Sequence, residues 1–152
     1  MKKIVLVLAA LTALASQTPL FAAVEYNVVS SFTGNPQILR NGETIPVSAR
    51  MLLYSGDIVK TPTPECRVDL SVSGLAGCRV LPSSEFTIVN GNWSNMRMKI
   101  VSGNAILNLA KLPKDSSFEL ETPTAIAAVR GTQFWGRVDA QNPGNPVTTF
   151  AV

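Results

Sequence analysis

Met96-Arg97-Met98-Lys99-Ile100 alternates apolar and charged side chains with a period of two. A strand sends successive side chains to opposite faces, so this pattern describes one face in a core and the other in water. Val68-Asp69-Leu70-Ser71-Val72 and Phe118-Glu119-Leu120-Glu121 repeat it on either side. Working outward, further strands are expected near residues 26–32, 36–39, 51–54, 86–89, 125–129, 133–138 and 147–152. Beyond the first segment, Pro and Gly never leave more than 11 residues free of them, too few for a helix of average length. Ala105 to Leu112 is the one place for a helical turn or two, and a strand is preferred there. Asn41-Gly42, Ser55-Gly56-Asp57, Ser73-Gly74, Asn90-Gly91-Asn92, Ser102-Gly103-Asn104 and Pro143-Gly144 supply residues that tolerate tight-turn backbone. The fold class expected is all-β: one small domain of short strands, with twisted sheets in a sandwich or β-solenoid-like arrangement, after an N-terminal signal helix.

Met1-Lys2-Lys3, the apolar run Ile4 to Ala15 and the small residues around Pro19 to Ala23 read as a secretory signal peptide covering residues 1–22, with cleavage after Ala22. The run falls short of the ~20 apolar residues that span a bilayer. Residues 23–152 are then a single exported domain, periplasmic or secreted and not membrane-spanning once the signal is cleaved. Export creates two readings of Cys66 and Cys78: a disulfide, which an oxidising compartment favours, or two packed thiols.

Composition excludes several chemistries. The chain has 152 residues, 13 Lys+Arg, 10 Asp+Glu, 2 Cys and no His. Histidine-dependent triads, His-ligated metals and imidazole proton relays are therefore absent, and two cysteines do not complete a structural zinc site. Removing Lys2 and Lys3 leaves 11 cations against 10 anions, so no electrostatic footprint for nucleic acid is expected. No cofactor is expected either.

Residues 61 apart show a weak internal repeat: Gly42 with Gly103, Ile45 with Ile106, Ser55 with Ser116, Val59 with Leu120, and Thr61-Pro62 with Thr122-Pro123. Two similar β-units packed together, or coincidence in a turn-rich protein, account for it equally well.

The most specific stretch is Thr122-Pro123-Thr124-Ala125-Ile126-Ala127-Ala128-Val129-Arg130-Gly131-Thr132-Gln133-Phe134. It resembles the FecR domain, whose pattern runs from T-P through an apolar stretch into V-R-G-T-x-F. Leu53-Tyr54-Ser55-Gly56-Asp57-Ile58-Val59-Lys60-Thr61 is similar to the family's L-x-x-G-D-x-I-x-T step, Pro82-Ser83-Ser84-Glu85-Phe86 to its P-n-S-e-F turn, and Gly103 to a strand start. The resemblance spans roughly residues 28–152, with Gly56, Asp57, Thr61, Thr122, Pro123, Val129, Arg130, Gly131, Thr132 and Phe134 as its motif positions. Gly131 suits a bulge or a close backbone approach, and the Thr132 hydroxyl suits a neighbouring backbone group. Arg130, flanked by apolar residues, is expected to be partly buried, clamping carbonyls of the adjacent turn in preference to facing a carboxylate ligand.

The resemblance implies a non-enzymatic module that binds another envelope component, in signalling or scaffolding. Family regulators carry a cytoplasmic sigma-factor-controlling part and a membrane helix ahead of the FecR domain. Only three residues precede the apolar run here, so what carries over is the exported β domain and a protein partner in the envelope. At the other end, Thr148-Thr149-Phe150-Ala151-Val152 stops in strand-like sequence, and a further strand, with a longer natural chain, is expected. The alternative function is a cell-wall or glycan-binding protein, with Tyr54, Trp93 and Trp135 as an aromatic platform for glycan or peptidoglycan. A hydrolase ranks last: Glu119 and Glu121 lie roughly 7 Å apart on one strand face, and Ser83-Ser84 with Lys111 or Lys114 form no motif.

Overall fold

A computed structural model describes residues 27–92, 94–131, 133–142 and 144–152. The signal segment 1–22, Trp93, Thr132 and Pro143 lie outside the described residues. Among the described residues thirteen strands run β1 Asn27–Thr33, β2 Gln37–Arg40, β3 Glu43–Pro46, β4 Leu52–Leu53, β5 Ile58–Thr61, β6 Arg67–Val72, β7 Ala76–Val80, β8 Ser84–Asn90, β9 Asn95–Leu109, β10 Ser117–Glu121, β11 Ile126–Ala128, β12 Gln133–Asp139 and β13 Val147–Ala151. No helix occurs among the described residues, so none is long and apolar enough to cross a membrane.

The strands form one curled sheet that folds back on itself through β9. The first half of β9 pairs with β8 and, in parallel, with β10; its second half pairs antiparallel with β7 and β12. One layer is thus β3-β2-β5-β8-β9-β10-β11 and the other β4-β1-β6-β7-β9-β12-β13. The corner falls where a register shift between Glu85 and Phe86 precedes Gly103, whose φ is +82°. A bulge followed by a left-handed residue is how a strand changes sheets. Ser102-Gly103-Asn104 is therefore a bend inside a strand, not the turn expected from its composition.

Alternation places the core. Val68, Leu70 and Val72 of β6 align with Val80, Cys78 and Ala76 of β7, which align in turn with Ala105, Leu107 and Leu109 of β9, and all nine are buried. In the other layer Val59, Phe86 and Ile100 form one cross-strand row, and Ile88, Met98 and Leu120 another. The layers touch at Gly136. A Cβ there would lie 2.8 Å from Ile100 Cδ1 and 3.2 Å from Leu120 Cδ2, so a strand residue without a side chain sets the closeness of approach.

The 61-residue repeat is only partly structural. Gly42 and Gly103 both have positive φ, and Thr61 and Thr122 are both buried at the end of a strand. However, Gly42 sits in a hairpin turn between β2 and β3, whereas Gly103 lies inside β9; β5 has two antiparallel neighbours, whereas β10 has one parallel and one antiparallel.

Candidate functional site

Several motif positions turn out to be fastenings of the fold. Gly56, with φ +94°, ends the turn before β5 and donates its N–H to Ile88 O at 2.7 Å. Asp57 follows, 2% exposed, and its carboxylate accepts Arg40 Nε at 2.8 Å, Arg40 Nη2 at 2.6 Å and the Tyr54 N–H at 2.9 Å. Arg40 also donates to Leu52 O and lies 4.7 Å from the centre of the Tyr54 ring. This bidentate, stacked arrangement is one that arginine makes and lysine does not. Sequence reasoning misses Arg40. Its signal is slight: an arginine just before Asn41-Gly42, following the apolar pair Ile38-Leu39.

A second fastening holds the corner of β9. Thr61 Oγ1 donates to Leu81 O at 2.6 Å and accepts the Ser84 N–H at 3.0 Å. Ser84 Oγ donates to Pro82 O and accepts the Asn104 N–H at 2.8 Å. Ser83 carries φ +54°, and a Cβ on Gly103 would meet Ser84 Oγ and lie 2.6 Å from Ser83 O. Thr61, the P-n-S-e-F turn and Gly103 thus form a single junction. Ser84 is spent there, and Lys111 lies seven residues further along the chain from Asn104, about 16 Å or more of strand length away, so Ser84 and Lys111 are not brought together.

Thr122 closes a third. Its N–H and hydroxyl both reach Ala125 O, at 2.8 and 3.0 Å, and its Oγ1 accepts the Ala125 N–H and the Thr148 hydroxyl. Pro123 follows in that turn, exposed. Phe134 is buried and Trp135, on the opposite face of β12, is half-buried.

Cys66 and Cys78 are free thiols, both buried. The disulfide reading is corrected by register. Cys78 sits opposite Leu70 in β6, and Cys66 lies four residues before Leu70; at ~3.3 Å per residue the two are about 13 Å apart along the strand, well beyond the reach of a disulfide. Cys66 instead contacts Thr63 Oγ1 at 3.1 Å, while burial, reinforced by the charge of Asp69, pushes the Cys78 thiol far above its ordinary range.

Glu119 and Glu121 share a face of β10 as expected, and both pair with Arg97 Nε, at 3.0 and 3.2 Å. Tyr54 follows β4, at one end of the second layer, and Trp135 lies five strand spacings away on β12, about 24 Å at ~4.8 Å per spacing. They form no common platform. Among the described residues no cluster of three or more Cys, Asp or Glu side chains is placed to hold a metal ion.

What remains is β11 and the residues after it. Gly131 lies between β11 and β12 with φ +60°, and a Cβ there would make ordinary contact with Lys111 Cα at 3.4 Å, so the left-handed backbone, and not a close approach or a bulge, is what favours glycine. Val129 is half-buried, packs on the core and donates its N–H to Phe118 O. Arg130 differs from expectation. It is exposed, with no hydrogen-bond or ion-pair partner among the described residues, because alternation along β11 sends 126, 128 and 130 outward while Val129 takes the inward place. The clamp is therefore not what this guanidinium makes. Among the described residues β11 has one neighbour, β10, and leaves its other edge open.

Compared with family models, residues 57–151, well over half of the 152 residues, match the one described as FecR protein. No curated protein and no solved structure matches the chain. The match starts at Asp57, whereas β1 to β4 before it are built into the same sheet, β2 against β5 and β1 against β6.

Proposed function

The chain belongs to the FecR family, and from that premise we propose that it is an exported, non-enzymatic module of the cell envelope that binds a second envelope protein, in signalling or scaffolding, through the segment from Ile126 to Arg130. Residues 1–22 are its signal peptide and the folded domain is what remains. One observation carries the binding surface: Asp57, Thr61, Ser84, Gly103 and Thr122 are consumed in holding the sheet together, while Ile126 and Arg130, in the most specific motif, face solvent. Exposed apolar and unpaired charged side chains contribute nothing to the core and are what a partner recognises.

A photo-crosslinking residue at Ala128, compared with one at Asn108 on the outer face of the other layer, tests this in the native cells. The expected result is a reproducible adduct to one envelope protein from Ala128 and not from Asn108, with a mature N-terminus at Ala23 by mass spectrometry. Adducts from Asn108 alone would move the interface to the opposite face. Recovery of wall fragments in place of protein would overturn the reading.

A further inference from the structure

Resting on that role, we infer how the partner binds: an extended segment of the second protein adds as a strand to the free edge of β11, with a carboxylate set against Arg130 and an apolar side chain against Ile126. The hydrogen-bond register decides which backbone groups are free. Thr122 N–H bonds to Ala125 O and Val129 N–H to Phe118 O, with Leu120 opposite Ala127 between them. In an antiparallel pair, residues that exchange hydrogen bonds alternate with residues that do not. Ala125, Ala127 and Val129 therefore spend their backbone groups on β10, and Ile126, Ala128 and Arg130 direct theirs to the open side. A strand laid there recovers those bonds, the mode by which peptides augment a sheet edge.

The side chains define the visitor. Ile126 is 67% exposed, Ala128 is small enough to admit a bulky neighbour, and Arg130 ends the row. The carboxylates beside them, Glu121 opposite Ile126 and Glu119 opposite Ala128, are already paired with Arg97. Gly131 then passes beside the backbone of Lys111, a second exposed cation. The unsatisfied charge at this end of the edge is positive, so the complementary strand is acidic there and apolar four positions away. The open edge at β13 lacks such a mark.

The test uses the mature protein and a blocked peptide of about nine residues, long enough to form one strand, alternating Thr and Val with one Asp, against the same peptide with Lys. Hydrogen exchange read by NMR is expected to show the Ile126, Ala128 and Arg130 amides unprotected alone and protected by the Asp peptide, with Ala127 and Val129 protected throughout. Arg130→Glu should reverse the roughly 10-fold preference for Asp over Lys that a charge pair at an interface rim supplies. N-methylation of the peptide amides facing β11 should abolish binding, and methylation of the alternate amides should not. Ala128→Pro, which removes an amide β10 does not use, should weaken binding while leaving the melting curve in place. No saturable binding up to about 1 mM, binding indifferent to methylation, or binding at other amides overturns strand addition. Protection of these amides that rises with protein concentration in the absence of peptide would make the occupant a second copy and overturn it likewise. If Ala128 crosslinks a partner in cells and the peptide does not bind, the role stands and this mode of binding falls.

Discussion

Replacing Asp57 with Ala should be among the most damaging single changes in this protein. The carboxylate is 2% exposed and accepts three hydrogen bonds of 2.6 to 2.9 Å, two of them from a guanidinium. Hydrogen bonds to charged groups contribute about 1.5 to 3 kcal/mol each, though not additively, and breaking a buried ion pair by removing one member costs about 3 to 5 kcal/mol. Two features pull the figure to the lower end. Arg40 is 24% exposed and regains water, and it keeps its bond to Leu52 O. About 3 kcal/mol results, a large share of the ~5 to 15 kcal/mol of a whole domain, and a fall in Tm of roughly 10 °C for a domain of this size. Urea titrations followed by far-ultraviolet circular dichroism would measure it, in a cycle with Arg40→Met and the double variant. Each single change should cost more than half the double, because Arg40→Met leaves the buried Asp57 carboxylate unpaired and Asp57→Ala leaves the part-buried guanidinium with Leu52 O alone. A loss below about 1 kcal/mol for Asp57→Ala, or single costs that simply add, would refute the account of Asp57 as the fastening of its turn.

Gly103→Ala should cost well over 2 kcal/mol, since φ is +82° and the added methyl meets Ser83 O and Ser84, whereas Gly42→Ala, at φ +85° with open space around it, should cost about 1 kcal/mol; equal losses at the two sites would disprove the crowding at the corner. Alkylation of the native protein without reductant should find two thiols by intact mass after unfolding, with Cys78 unreactive until the core opens. Because the Cys78 pKa is raised in the folded state, its contribution is complete below about pH 8.5 and is lost as pH rises above that value; Cys78→Val should remove that alkaline slope. Burial pushes the Asp69 carboxyl up, but hydrogen bonds from Arg79 and Ser31 outweigh it and hold the group below its ordinary value. Its contribution is present above about pH 4 and lost as pH falls further, and with Arg79 half-exposed it amounts to under about 1 kcal/mol; Asp69→Asn should flatten the acid limb of a stability titration by that amount.

Strand positions with strict alternation are legible in the sequence, because burial of one face leaves a period of two in it. Val68 to Val72, Met96 to Ile100 and Phe118 to Glu121 all lie in strands with their apolar members buried. Less regular strands such as β1, β8 and β12 are legible too, from β-branched and aromatic residues between turn signals, but three escape. β7 alternates fully, but Ala76 and Gly77 are too small to mark a face, β3 is mostly exposed, and β5 reads as a motif more than as a strand. The Gly103 bend escapes because the residue that permits a hairpin turn also permits a strand to change sheets, and only the pairing on either side distinguishes the two. Partners distant in sequence are the larger gap. Nothing local connects Arg40 to Asp57, Thr61 to Ser84, or the spacing of Cys66 and Cys78 to their separation along β6. Arg130 misleads for a different reason: apolar neighbours suggest burial, but Ala125, Ala127 and Ala128 line an edge strand, where small apolar residues need not mark a core.

β9 also dictates when this protein can fold. Among the described residues eight strands precede it, and the two that flank its slots, β7 and β8, each wait for a partner that arrives only with residues 95–109. A chain delivered N-terminus first therefore holds two incomplete edges until most of it has emerged. Neither layer closes without the same 15-residue segment, so the layers close together, in a single late and nonlocal step of the kind that makes β topologies slow. During that interval the exposed β7 and β8 edges are open to pairing with other chains, so the yield of folded protein depends on shielding two edges that the finished molecule no longer shows.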